Sequence, residues 1–282
     1  MRGKRISVIT AISLAMVMLI GAGCVSAQES PRFPLTGFQE KPRVIITTDG
    51  ECDDFNSLHH VLLYANDLDL AGIVYSASTY HWQGDGEHTL VEINPDFLPQ
   101  AAMDIDNGAQ TIYRPQEMGW IERAVGEEYA ADYEYLVQND PEYPSPEDLL
   151  AITKVGNVEF EGDVRFDTEG SDLIKNSILD DDERTLFIQA WGGFNTVARA
   201  LLSIYEEYGE TEEWDEIYDK VINKVIIQGN GQDSTYDKYI RDIYPDLYMV
   251  SGKPNGYTYF AANNAAEFAR DYFNSEWLTE NI

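Results

Sequence analysis

The chain has 282 residues, of which 44% are hydrophobic, enough to build one sizeable core or two small ones. Its 50 acidic residues against 19 basic ones leave a net charge of −31, which excludes nucleic acid polymers and anionic membrane surfaces as partners. The acids are spread along the whole chain, as a solvated surface requires, with one local crowding described below.

At the amino terminus, Arg2, Lys4 and Arg5 precede an apolar run from Ile6 to Ile20 and the small residues Val25-Ser26-Ala27. That order predicts a signal peptide cleaved after Ala27, and hence a secreted or periplasmic protein. Acylation of Cys24 as a lipoprotein ranks second, because Gly21 stands where such sites carry a larger aliphatic residue. A retained anchor ranks third, the run being short for a span. With Cys24 removed, Cys52 has no partner for an internal disulfide and reads as a small packing residue.

Residues 28–42 form a polar tail carrying Pro31, Pro34 and Pro42, after which regular patterning begins. Val44 to Thr48 is a β-branched run suited to a strand buried on both faces. Phe55, Leu58, Leu62 and Ala65 share one helical face. A second strand, Leu70 to Tyr75, follows that helix, so the two strands are expected to be parallel with a right-handed crossover. Between about 87 and 170 the alternation gives way to a helical insertion, with one helix over 118–137 and another from Pro146 to Lys154. Alternation resumes with strands at Thr185–Ala190, Val225–Gln228 and Leu247–Val250, and with helices over 194–208 and 261–273. The order predicts an α/β fold, a doubly wound, mostly parallel sheet. In such sheets ligands sit beyond the carboxyl ends of the strands, a rim that collects Asp49, Ser78-Thr79, Trp191-Gly192-Gly193 and Gln228-Gly229-Asn230.

The local crowding is Asp49-Gly50-Glu51-Cys52-Asp53-Asp54, four acids at the first strand-to-helix turn. Asp49 ends the strand while Asp53 and Asp54 open the helix, so three carboxylates converge across one turn. A hard cation resolves their repulsion, and Ca²⁺ takes about 6 to 8 oxygen ligands. Asp53 and Asp54 alone fit a helix cap and its dipole equally well, but a cap needs no third acid at the strand end. An EF-hand is excluded because His60 stands where the bidentate glutamate belongs and no helix precedes the loop. His59, His60, His81 and His88 form no HExxH zinc motif, and there is neither a G-x-S-x-G elbow nor a P-loop. Trp191-Gly192-Gly193 reads equally as a simple turn or as a place where a backbone carbonyl faces a ligand. Tyr80, His81 and Trp82 read first as rim packing and second as a platform for a sugar or base.

Together these residues resemble the nucleoside hydrolase superfamily, whose signature is an aspartate, a short turn and a pair of aspartates directly after the first strand. The nearer likeness is to a secreted bacterial branch, the nucleoside hydrolase-like domain of the cellulose-binding-protein group. It is carried by TTDGE and DD, LLYANDLDLAGIVYSASTYHWQGDG, DPEYPSPEDLLAITKVGN, EGSD and WGGFNTVARAL, and runs from about Lys41 to the last residue. The resemblance implies a Ca²⁺ held by Asp49, Asp53, Asp54 and the Trp191 carbonyl, with Asp49 also the general base toward an attacking water. It implies substrate contacts at Thr79, where nucleoside hydrolases carry an asparagine near the ribose hydroxyls, and at Asn230, with Asp233 an alternative; His81 and Trp82, from their place in the rim loop, and Asn195 are the further candidate substrate contacts. Gly50-Glu51 replaces the usual Pro-Gly. The superfamily's last metal aspartate comes from a late segment with no match before Ile282, and members of the branch continue into a small β-rich domain, so a truncated carboxyl end is expected.

The implied activity is Ca²⁺-dependent hydrolysis of a glycosidic bond, N-ribosyl or related, in a nucleoside or sugar. The alternative is a non-catalytic protein holding cellulose or another polysaccharide in the same crevice, and a third reading is a scaffold without metal. Either of the first two is compatible with an oligomer, and none involves a membrane span.

Overall fold

The computed structural model describes residues 40–95, 108–229 and 235–251. The expected signal peptide, most of the polar tail, the helix over 261–273, Asn230 and Asp233 lie outside the described residues. Six strands form one sheet: β1 (Arg43–Thr48), β2 (Asp69–Tyr75), β3 (Thr153–Val155), β4 (Leu186–Ala190), β5 (Val225–Gly229) and β6 (Tyr248–Ser251). Every pairing is parallel, and the order is β3-β2-β1-β4-β5-β6.

The helices divide between the two faces because alternate side chains of each strand point oppositely. Ile73 and Tyr75 of β2 pack with Leu58 and Leu62 of α1 (Cys52–Leu63), while Val74 joins Ile45 and Ile188 in a separate core on the other side. The first face also takes the helical block that follows β2. The single turn α2 (Leu90–Ile93) before that block packs in a separate small cluster with Ala77, Trp82 and Phe160, and the block itself runs through α3 (Trp120–Arg123), a π-helical segment Ala124–Tyr129 and α4 (Ala130–Asn139) to α5 (Pro146–Ala151). The second face carries α6 (Glu169–Leu179), α7 (Asn195–Tyr208) and α8 (Trp214–Lys224), with α9 (Thr235–Tyr239) packing Tyr236 on Phe194. Ile45, Ile73, Val74, Ile188 and Ile227 are fully buried, each contributing roughly 1.5–3 kcal/mol of apolar burial. The doubly wound parallel α/β fold expected from the sequence is thus present.

Two local differences stand out. The helix expected to run from Pro146 to Lys154 stops at Ala151, and Thr153–Val155 becomes edge strand β3 on Tyr75. Strand and helix alternation therefore survives inside the segment read as an insertion, and α6 begins where that segment was expected to end. The helix expected over 118–137 is continuous from Trp120 to Asn139 but widens into the π segment around Gly126. Its start is fixed by Tyr75, whose hydroxyl accepts from Gly119 N (3.0 Å) and Ile121 N (3.1 Å) and donates to Glu122.

The strand order reverses direction between β1 and β4. From β1 the chain winds outward through β2 to β3, then crosses to the other face and returns beside β1 as β4. A crevice opens at such a reversal, at the carboxyl ends of the two strands.

Candidate functional site at the β1/β4 reversal

The ends of β1, β2 and β4 are level. Trp191 N donates to Thr47 O (2.9 Å), Ser76 N to Thr48 O (2.8 Å), and Gly156 N to Tyr75 O (3.0 Å). Asp49, the first residue beyond β1, therefore stands between the two halves of the sheet. It is 3% exposed. Its carboxyl lies against Gly192: a Cβ placed there would stand 2.1 Å from Asp49 Cγ. Gly193 follows with φ +55, and a Cβ on it would strike the Ala77 carbonyl at 1.7 Å. The paired glycines thus form a close-packed turn. They let the β4 turn close over Asp49 on one side and the β2 extension on the other.

The turn itself is built on Asp54. Its Oδ2 accepts from Thr48 Oγ1 (2.7 Å), Asp49 N (3.2 Å) and Gly50 N (3.2 Å), which brings the helix's third residue back to the strand end. Gly50 takes φ +73 to allow this. Burial, and then the adjacent Asp49 charge, push the Asp54 carboxyl well above the usual carboxylate range. Burial also raises Asp53, with the Glu51 and Asp49 charges adding to it. Neither aspartate caps α1: the cap position is Glu51, and no side chain hydrogen-bonds there.

Glu51 turns the other way. Its Oε1 lies 2.7 Å from His81 Nε2 and 3.4 Å from an Arg114 guanidinium nitrogen. The His81 bond, aided by the charges of His81 and Arg114, holds Glu51 below its ordinary value in spite of partial burial. His81 Nδ1 lies 2.7 Å from the Arg114 carbonyl. Arg114 has φ 42, the one non-glycine residue with positive φ among the described residues. Its loop is tied to the β2 loop by reciprocal backbone bonds between Trp82 and Tyr113. Among the described residues, Asp49, Glu51 and His81 are the group whose potential ligand atoms all fall within 4.8 Å of one another.

The expected substrate contacts separate. Thr79 is buried and donates to Glu161 Oε1 (2.6 Å), so it faces an internal carboxylate. Trp82 is 1% exposed, its ring packed on Phe160 and Tyr113 at centroid distances of 5.2 and 6.1 Å. Tyr80, less buried, is the aromatic of that loop left at the rim; burial and the charges of Glu161 and Glu51 raise its hydroxyl. Asn195 is fully buried and committed to backbone. It accepts from Gly162 N (2.8 Å) and donates to Phe160 O (2.5 Å) and Asn157 O (3.3 Å). Beside it, Thr196 Oγ1 accepts from Asn157 N (2.9 Å) and bonds Ser76 Oγ (3.2 Å). The first turn of α7 therefore shapes the crevice wall. Trp191 is partly buried against the core under α1, and its peptide nitrogen is spent on β1. Glu51 and Glu161 are the residues sequence reasoning did not place.

A doubly wound parallel sheet of this order is the fold of a nucleoside hydrolase-like domain. The family described as "Cellulose-binding Sde182, nucleoside hydrolase-like domain" matches residues 43–282, and the chain belongs to it. A solved structure, a nucleoside hydrolase-related hypothetical protein from Saccharophagus degradans associated with carbohydrate metabolism, superposes with TM-score 0.55 at 22% identity. The match covers 75% of this chain and 44% of that one, so the chain spans less than half its length. No curated protein matches the chain in sequence.

Proposed function

We propose that the protein is a secreted, Ca²⁺-dependent hydrolase of a glycosidic bond, N-ribosyl or a related sugar linkage. The observation that carries this reading is Asp49, a buried carboxylate placed at the β1/β4 reversal and walled by Gly192. Three further acids stand within five residues of it, two of them raised by burial and neighbouring charge. Such an oxygen-rich, over-charged donor set fits a hard dication. Asp49, Asp53, Asp54 and the Trp191 carbonyl would hold it. When bound, Ca²⁺ polarises a water and aligns sugar hydroxyls.

The chain's own residues supply the rest. Asp49 takes the proton from the attacking water as the anomeric carbon gains oxocarbenium character. Asp54 fixes the peptide nitrogens of Asp49 and Gly50, and so holds the base in place. The Gly192-Gly193 turn keeps bulk water from the buried side of Asp49. No helix among the described residues is long and apolar enough to cross a membrane, and the family's cellulose-binding description supports a location outside the cell.

A second reading, a non-catalytic polysaccharide-binding protein, is favoured by that same description and by Tyr80, an aromatic at the rim suited to sugar stacking. Turnover of nucleosides and oligosaccharides with and without Ca²⁺, in the native chain and in Asp49→Asn, separates the two. Hydrolysis should require Ca²⁺ and fall at least a hundredfold in the variant. Full turnover by Asp49→Asn would sink the assignment of the base, and polysaccharide pull-down without any turnover would select the binding reading.

A further inference from the structure

We propose that Asp49, Glu51 and His81 form a mixed carboxylate–imidazole site for a first-row transition dication of the Zn²⁺ or Mn²⁺ class, beside the calcium set and sharing Asp49 with it. The three side chains come from the ends of adjacent strands β1 and β2, and their ligand atoms lie within 4.8 Å of one another. Two ligands about 2.1 Å from one ion are about 3.0–3.4 Å apart at octahedral to tetrahedral angles. His81 Nε2 and Glu51 Oε1, at 2.7 Å, need to separate by only a few tenths of an ångström to admit the ion between them.

Two observations outside that contact point the same way. Asp49 is 3% exposed, and the side-chain partner facing its carboxylate is the carboxyl of Asp54, another acid, hydrogen-bonded to it. Such a carboxylate is stabilised by a cation. The imidazole, in turn, is held from outside the cluster: with Nδ1–H donating to the Arg114 carbonyl, Nε2 is the nitrogen aimed at Glu51, and a metal ion would take the place of the proton it shares with that carboxylate. Anchoring of the distal ring nitrogen by a backbone carbonyl is how metal-bound histidines are fixed in tautomer and orientation. Oxygen donors alone select Ca²⁺ or Mg²⁺, whereas adding imidazole moves preference toward transition metals.

This site does not depend on the hydrolase reading, and its test keeps the two apart. Zn²⁺ and Ca²⁺ are titrated calorimetrically into the full metal-free chain and into Glu51→Gln and His81→Gln, and the Mn²⁺ form is studied by pulsed EPR. Zn²⁺ affinity should fall at least tenfold in each variant while Ca²⁺ affinity changes less than threefold, and the native Mn²⁺ form should show a ¹⁴N coupling absent from His81→Gln. Unchanged Zn²⁺ affinity in both variants, or a native Mn²⁺ spectrum without ¹⁴N coupling, overturns the proposal. If His81→Gln does not fold, the native spectrum and Glu51→Gln decide it alone. Loss of Ca²⁺ binding in the native chain would remove the calcium reading and leave this one standing.

Discussion

The Cα of Gly192 and the carboxyl of Asp49 share a space too small for one more carbon: a Cβ at 192 would stand 2.1 Å from Asp49 Cγ and 2.3 and 2.5 Å from its oxygens. The contact joins the ends of β1 and β4 across the point where the sheet reverses. Gly192→Ala must therefore push out the buried carboxylate or open the β4 turn. We expect it to destabilise the protein by about 1–3 kcal/mol and to abolish Ca²⁺-dependent thermal stabilisation. Gly126→Ala is the control, because its Cβ would meet only Leu150 Cδ1 at 3.7 Å. It lies in the helical block and should be neutral or slightly stabilising. Thermal melts with and without Ca²⁺ check both.

The opposite rim of the sheet supplies a pH dependence that leaves the site untouched. Asp180 is pushed up by burial, but hydrogen bonds from Arg43, at 2.6 Å on the closer contact, and Lys224, also at 2.6 Å, outweigh that and hold it at about 2. A carboxyl depressed in the folded state contributes stability above its unfolded value of about 4, and that stability is lost as pH falls toward the folded value. The window is thus from about pH 4 to about pH 2. The Asp180 side chain is 35% exposed, so the pairs contribute no more than about 1 kcal/mol after solvent screening. Asp180→Asn should lower the melting temperature at pH 6 by a few degrees and by less at pH 2.5. An equal loss at both would show that the pairs do not carry the effect.

The fold was legible where strands are β-branched runs and the helices between them keep one apolar face, as in Val44–Thr48 and the Phe55, Leu58, Leu62 series. It was not legible at Thr153–Val155, three residues that follow α5 without a breaker. That segment becomes a strand only because Ile73, Val74 and Tyr75 offer it an edge. The site divided in the same way. Asp49, Asp53 and Asp54 are close in sequence and announce themselves, whereas Glu51 and His81 are 30 residues apart and meet only across the β1/β2 pairing. A usable signal was present: Thr48 is level with Tyr75, so residues shortly beyond each strand reach the same rim. Trp82, read first as rim packing, and Asn195 are both buried in the wall, and an aromatic or an amide at a strand end looks the same in sequence whether it faces ligand or fills such a wall.

Asn195 offers the clearest way to tell wall from ligand contact. Its amide accepts from Gly162 N and donates to the Phe160 and Asn157 carbonyls, all at a fully buried position, and so holds the loop that carries Glu161 beside Thr79. Asn195→Ala would strip Gly162 N and the Asn157 carbonyl of this partner where water does not reach, and would leave the Phe160 carbonyl with Asp163 N alone (3.2 Å). Each such group costs about 1–3 kcal/mol, so a total loss of about 2–4 kcal/mol is expected after partial relaxation. Denaturant unfolding should show that loss in the midpoint. Asn195→Asp keeps the acceptor toward Gly162 N but replaces the donor with an oxygen facing two carbonyls, and should be at least as damaging. A residue that met only ligand would behave otherwise: either variant would weaken substrate or polysaccharide binding at unchanged stability.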